Sequence, residues 1–320
     1  MRRSISRLAG LVLLLLVAAC RREAAAPVRP GPPAVPQLVL AFYYPWYGRP
    51  DGPSGKWYHW NPATPRHNST DTPVLGWYDS NDTATVRQHV RWAKAAGIDG
   101  FISSWWGPTS FEDRSLRVLL RVAEQEGFRV TALVEHPVTQ DQLRDDLHTL
   151  ISGHASSPAW LRVGGRPVVL FYDRVMQRFG PDDFRAAFEG TGAFTLADTF
   201  DPVKAAPFDG VFAYGPVQDV PAYLRDEPAT RDAHHAAGRI FVASVVPGYD
   251  DRVIRQPGRF LDRAGGALYR SMWAGAAGAE WVTVTSWNEW HEGTEIEPSV
   301  EYATSFLELT RVLAGEWRGR

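Results

Sequence analysis

Two glutamates three residues apart, Glu289 and Glu292, sit in the stretch TSWNEWHEGTEIEP, residues 285–298, among two further glutamates, a histidine and two tryptophans. Cleavage of a glycosidic bond usually needs two carboxyl groups, one protonated to donate to the leaving oxygen and one ionised on the other side of the anomeric carbon. Continued as a strand, this spacing turns the pair to opposite faces. If the chain turns after Trp290, both can face one cavity, and Gly293 makes such a turn feasible. Asn288 and the tryptophans would then supply a hydrogen-bond partner and apolar walls, which drive two carboxyl pKa values apart. Taken alone, an ExxE spacing reads more readily as a solvated loop, and Glu295 and Glu297 are expected to be exposed members of one.

Other chemistries find less support. The chain has nine His but no HExxH, and His59, His136 and His291 stand without ligand spacing, so they read as neutral site histidines or substrate contacts. Ser104 and Ser286 fall near strand ends, yet no GxSxG elbow is present. There is no GxGxxG after the first strand and no P-loop, which leaves nucleotide binding unsupported.

The elements that must position these residues follow from hydrophobic period. Apolar runs ending at QLVLAFYYPW, DGFISSWW, FRVTALVEH, RPVVLFYD, AFTLADTF, DGVFAYGPV, RIFVASVVPGY and EWVTVTSWNEW read as eight strands. Helical segments alternate with them: Val86, Val90 and Ala93 share one face, as do Leu116, Leu119, Leu120 and Ala123. Leu143, Leu147 and Leu150 follow a Thr139/Gln142 capping box, Pro181 opens a helix carrying Phe184 and Phe188, and further helices are expected near 220–236, 258–278 and 300–314. Eight strands and their helices over residues 37–316, without an internal linker, predict a single (β/α)8 barrel; an open doubly wound sheet is the alternative. In a barrel the chemistry lies at the C-terminal strand ends. These ends carry Tyr44 and Trp46; Trp105 and Trp106; Glu135 and His136; Tyr172 and Asp173; Asp198; Tyr214; Tyr249, Asp250 and Asp251; and Asn288 to Glu292.

Composition sets the remaining bounds. Hydrophobic residues at 44% suffice for a large core, and a net charge of -2 gives no case for nucleic acid or an anionic membrane surface. Thirteen Trp and eleven Tyr, many beside Gly, Pro, Asp or His, fit loops that offer flat apolar faces to sugar rings, or oversized core packing. At the N-terminus, Arg2 and Arg3 precede an apolar run from Leu8 to Ala19, too short to span a bilayer. The run ends VAAC and resembles a bacterial lipobox. Residues 1–20 are thus expected to form a lipoprotein signal peptide, with Cys20, the only cysteine, lipidated. Arg21 in place of Asp favours the outer membrane, and the Pro/Ala-rich residues 21–36 read as a tether.

FYYPWYG with the following WYHW, DGFISSWWG, DGVFAYGPV, PGYDDRVIR and TSWNEWHEGTEIEP together resemble glycoside hydrolase family 99, the endo-acting α-mannosidases and α-1,2-mannanases, over most of residues 38–310. The resemblance implies a (β/α)8 barrel, a mannan or mannose-bearing glycan as partner, and retaining hydrolysis without metal or organic cofactor; a monomer is expected besides. It implies Glu289 as the base that takes a proton from the sugar 2-hydroxyl, giving a 1,2-anhydro sugar, and Glu292 as acid/base. Tyr44, Trp106, Tyr172 and Tyr214 match aromatic positions that line the family's sugar subsites, and Trp46, Glu135, His136, Tyr249, Asn288 and His291 are expected as further substrate contacts. Two motifs depart from the family: VEHP stands where His-x-Glu-Pro is usual, with Glu135 one place early, and IRQPG replaces IRPWN. The competing readings are a family-99-like hydrolase of another envelope polysaccharide, which the altered motif keeps open, and a non-catalytic glycan-binding lipoprotein, against which the paired glutamates speak.

Overall fold

Strand β1 (Leu38–Tyr43) shows how the sequence builds the architecture. Leu40 and Phe42 enter one buried apolar cluster, and Val39, Ala41 and Tyr43 enter another. A strand with both faces buried belongs to a closed parallel sheet, since successive side chains leave on opposite sides. The computed structural model describes residues 31–319. The expected signal peptide, Cys20 and most of the tether lie outside the described residues.

The strands that follow β1 are β2 (Gly100–Trp105), β3 (Arg129–Val134), β4 (Arg166–Phe171), β5 (Phe194–Asp198), β6 (Gly210–Phe212), β7 (Ile240–Val245) and β8 (Trp281–Val284). Each pairs in parallel with its neighbours in chain order. The register Leu38↔Trp281 through Ala41↔Val284 joins β1 to β8 and closes the barrel. This is a single (β/α)8 barrel, and closure excludes the open sheet. The lumen is filled by Leu40, Phe42, Ile102, Leu170, Leu196 and Val242. At its lower end the Trp281 indole donates to the Pro36 carbonyl (3.0 Å) and so ties down the chain entering β1.

Local sequence sets the helix limits. The Asp82 carboxylate accepts from the first-turn N–H groups of α1 (Thr83–Ala95), and Ser110 does the same for α2 (Phe111–Glu126), which Gly127 ends at φ 62°. The capping box expected at Thr139 and Gln142 opens α3 (Gln140–Ser152). Two short helices, α4 (Asp173–Arg178) and α5 (Pro181–Phe188), join β4 to β5, whereas turns join β5 to β6. Helix α6 (Val220–Ala236) matches its expected span.

The last two helices are shorter or later than expected. Helix α7 covers Ala267–Gly275, because residues 258–263 are drawn into another structure. Phe260–Leu261 pairs antiparallel with Tyr249–Asp250, and the Asp251 carboxylate accepts from the Arg259 N–H (2.6 Å) to close the intervening loop. Helix α8 (Ser305–Arg318) begins after a turn in which the Val300 N–H bonds to the Thr72 carbonyl (2.8 Å).

Candidate active site

The chain after β8 turns rather than continuing as a strand. The Ser286 hydroxyl accepts from the Glu289 N–H (2.8 Å), and the Glu292 N–H reaches the Glu289 carbonyl (3.3 Å). Gly293 at φ 57° completes the turn, and a Cβ there would sit 3.1 Å from Thr70 and 3.2 Å from the Asp250 backbone. The Asp250 N–H donates to the Glu292 carbonyl (2.7 Å), so the hairpin after β7 fastens this turn from the other side. Both glutamates therefore line one cavity of about 310 Å3, together with Trp46, His59, Arg255 and His291. A larger groove, about 510 Å3 and lined by Arg263, Arg270, Tyr302 and Phe306, lies over α7 and α8 and contains neither glutamate.

The two carboxyls have different surroundings. Glu289 is buried, and one of its oxygens accepts from the His291 N–H (3.2 Å) and lies 3.3 Å from His291 Nδ1. Glu292 meets the guanidinium of Arg255 at 2.9 Å. Burial, and then the charge of Glu289, raise the Glu292 carboxyl to about 7, while Arg255 and Tyr249 oppose the rise. A carboxyl still protonated near neutral pH can donate to a leaving oxygen. Arg255 is itself held by Asp251 (2.7 Å) and by the Tyr249 hydroxyl (2.8 Å).

Around this pair lies an aromatic floor. The Tyr44 hydroxyl donates to that of Tyr214, and Tyr214 packs edge-on against Tyr172 with ring centroids 5.5 Å apart. Trp46 stacks on His59 at 4.3 Å and 5°. His59, at a left-handed φ of 56°, accepts from His291 through its carbonyl (3.2 Å), and burial lowers its imidazole to about 3, so the ring is neutral. Trp106 is half-buried at the rim and donates to Ser104 (3.0 Å), whereas its neighbour Trp105 is a core residue.

The altered third-strand motif divides its two residues. Glu135 is 5% exposed, with one carboxyl oxygen unpartnered, and burial raises it to about 8. Glu289 is near enough for its charge to add to that rise, with Ser104 and Arg174 opposing it. His136 is exposed and stacks against Trp106 at 5.2 Å.

Several residues do other work than expected. Asn288 is fully buried: its amide oxygen accepts from the Tyr44 N–H (2.7 Å), and its nitrogen donates to the Tyr44 carbonyl (3.1 Å) and the Tyr78 hydroxyl (3.0 Å). It anchors the end of β1 and leaves no donor for a sugar. Asp198 accepts from the N–H groups of Tyr214 (2.9 Å) and Asp173 (3.1 Å), bracing two rim loops.

Glu295 and Glu297, expected in water, are 1% and 2% exposed. Arg263 holds Glu295 at 2.6 Å, and the Tyr78 hydroxyl donates to Glu297 (2.8 Å), which also lies 3.0 Å from His89 Nε2. The stretch folds inward because Ile296 and Glu297 donate through their N–H groups to the Trp287 carbonyl, and only buried partners elsewhere in the chain can then satisfy these acids. The sequence reading also missed Arg255, Arg174 and His89. Arg255 had a signal, as a cation closing the DDRVIR run next to Tyr249; the other two had none.

A (β/α)8 barrel carrying two dissimilar carboxyl groups on an aromatic rim, at the C-terminal strand ends, has the form of a glycoside hydrolase. The sequence profile of glycosyl hydrolase family 99 matches residues 34–224 and 201–310, and the chain belongs to that family. A mouse glycoprotein endo-alpha-1,2-mannosidase-like protein is 27% identical over 337 residues, covering 85% of this chain and 74% of the relative. The rat glycoprotein endo-alpha-1,2-mannosidase is 24% identical over 334 residues, covering 85% and 70%. The solved structure of the family-99 endo-alpha-mannosidase from Bacteroides thetaiotaomicron superposes with a TM-score of 0.78 at 25% identity, covering 89% of this chain and 99% of that one. The protein is thus a glycoside hydrolase, as the resemblance of its motifs to the family led one to expect.

Proposed function

We propose that this hydrolase cleaves α-mannosidic linkages within a mannan or mannose-bearing glycan, with retention, through a 1,2-anhydro sugar. The observation that carries the reading is the pairing in one cavity of Glu289 with a Glu292 carboxyl raised to about 7. In the first step the Glu289 carboxylate takes the proton from the sugar 2-hydroxyl, O2 forms a bond to C1, and the C1–oxygen bond to the leaving sugar breaks as Glu292 gives that oxygen its proton. In the second, the Glu292 carboxylate takes a proton from water, the water oxygen attacks C1, the C1–O2 bond opens, and Glu289 returns its proton to O2. Two inversions at C1 give net retention. The axial 2-hydroxyl of mannose stands trans to an α-linked leaving group, which is the geometry this route requires. The α-mannosidase relatives support the choice of sugar.

Tyr44, Trp46, Tyr172 and Tyr214 provide the apolar surface for sugar rings, with Trp106, Tyr249 and His291 at its edges. The test is the anomer first released from an α-mannan oligosaccharide, read by NMR. An α-configured product supports the route, and a β-configured one excludes it.

We further propose that Cys20 is lipidated and anchors the protein at the outer membrane as a monomer. The described chain supports an outward-facing site: Pro36 lies at the lower end of the barrel and the two glutamates lie beyond the upper ends of its strands. Replacing Cys20 by Ala should move the protein from the membrane to the soluble fraction; retention in the membrane would refute the anchor.

A further inference from the structure

Arg255 lines the cavity of the two glutamates, whereas Arg174 stands at the rim beside Trp106 and Tyr172. Arg255 is held through one guanidinium nitrogen by Glu292, Asp251 and Tyr249. Arg174, the second residue of α4, is exposed and makes no hydrogen bond or ion pair with another described residue. Its guanidinium instead lies 5.2 Å from the ring centroid of Trp106 and 5.7 Å from that of Tyr172. Contact with two aromatic rings limits its motion and leaves its N–H fork free, so little order remains to be imposed when a planar anion binds. His136, against the same indole, adds a second nitrogen donor at this edge. Beneath them Glu135 presents its unpartnered carboxyl oxygen, and it is raised to about 8, so it does not neutralise the arginine near pH 7.

We propose that Arg174, with His136 and Trp106, forms a subsite for an anionic group, a carboxylate or phosphate, carried by a sugar of the bound glycan. A neutral hydroxyl leaves most of an open guanidinium fork unused, whereas a carboxylate or phosphate accepts two parallel charge-assisted bonds from it. The aromatic pair would seat the sugar bearing that group, and Glu135 would meet one of its hydroxyls. The placement follows from the departure at VEHP: moving the glutamate one position inward sets a histidine at the rim beside an arginine. The inference rests on reading this cleft as the glycan site and deepens it, by giving the substrate a charge.

Calorimetric titration separates it from the hydrolytic reading, because binding needs no turnover. Three ligands of equal length are compared: an α-linked manno-oligosaccharide, the same carrying a phosphate monoester, and the same carrying a hexuronic acid. Wild-type protein should bind at least one of the charged ligands about tenfold more tightly than the neutral one. That ratio should shrink towards one in Arg174→Met, recover in part in Arg174→Lys, and diminish in 0.5 M salt as screening increases. Whichever charged arm shows the preference identifies the anion. Equal affinity for all three ligands, failure to bind any, or a preference that survives Arg174→Met would overturn the proposal. A charge preference without hydrolysis of any ligand would leave the subsite standing and remove the proposed reaction. Hydrolysis without charge preference would do the reverse.

Discussion

The guanidinium of Arg255 lies 2.9 Å from the Glu292 carboxylate, while Asp251 grips the same guanidinium nitrogen from the other side at 2.7 Å. Arg255 thus sets both the direction of the proposed acid and its affinity for a proton. A nearby cation favours the ionised form, so removing it raises the carboxyl above its present value of about 7. In Arg255→Met the alkaline limb of the kcat/KM profile should move to higher pH by about one unit, with a lower plateau as the carboxyl loses its alignment. An unmoved limb would show that Arg255 does not act through Glu292.

The division of roles between the glutamates can be read from leaving-group dependence. Glu292→Gln should lose about 10²- to 10⁴-fold activity on a sugar leaving group. Much of that loss should vanish in the first step with a dinitrophenyl leaving group, which needs no proton. Glu289→Gln should be slow with both, because the attacking 2-hydroxyl still lacks its base. Equal rescue of both variants would undo the assignment.

Gly293 combines a left-handed φ of 57° with contacts that a methyl group would crowd. Gly293→Ala is expected to cost about 1–3 kcal/mol in urea denaturation and to lower kcat more than it raises KM, because the turn carries Glu292. A fully active variant of unchanged stability would show that the turn adapts freely.

Glu295 and Arg263 form a buried pair at 2.6 Å. Glu295→Ala removes the nearest carboxyl partner of a buried guanidinium, leaving Asp71 at 3.8 Å, and should destabilise by about 3 kcal/mol. Glu295→Met combined with Arg263→Met should cost less than either single change, since the buried guanidinium leaves together with its nearest partner. Additive losses in denaturant titrations would contradict this account.

Glu135, raised to about 8, binds its proton more tightly in the folded chain than in the unfolded one. Its contribution to stability is therefore full at low pH, declines as pH rises from the ordinary glutamate range near 4.3, and is gone above about 8. Glu135→Gln removes that decline, so its unfolding midpoint should exceed that of the wild type at pH 8 and approach it at pH 4. A gap that does not change with pH would refute the buried, protonated state.

The sequence by itself determined the barrel, because closed parallel strands must be apolar on both faces and their helices must show a 3.6-residue period. It also pointed to Glu289 and Glu292 as a pair able to face one cavity, which the structure forms, since the turn at Gly293 is local and the residue types are informative. Tertiary structure alone decided the fate of the other two acids. Glu295 and Glu297 look like solvent residues until Arg263 arrives from a distant segment to meet one oxygen of the first, and Tyr78 to donate to one oxygen of the second, with His89 beside it. The same holds for Asn288, whose partner Tyr44 lies across the closure of the barrel, and for Arg174, whose rings come from two different strand ends. Periodicity and turn chemistry act over a few residues and can be read along the chain. Whether a polar group is buried, and what meets it there, depends on which strand ends the closed barrel brings together.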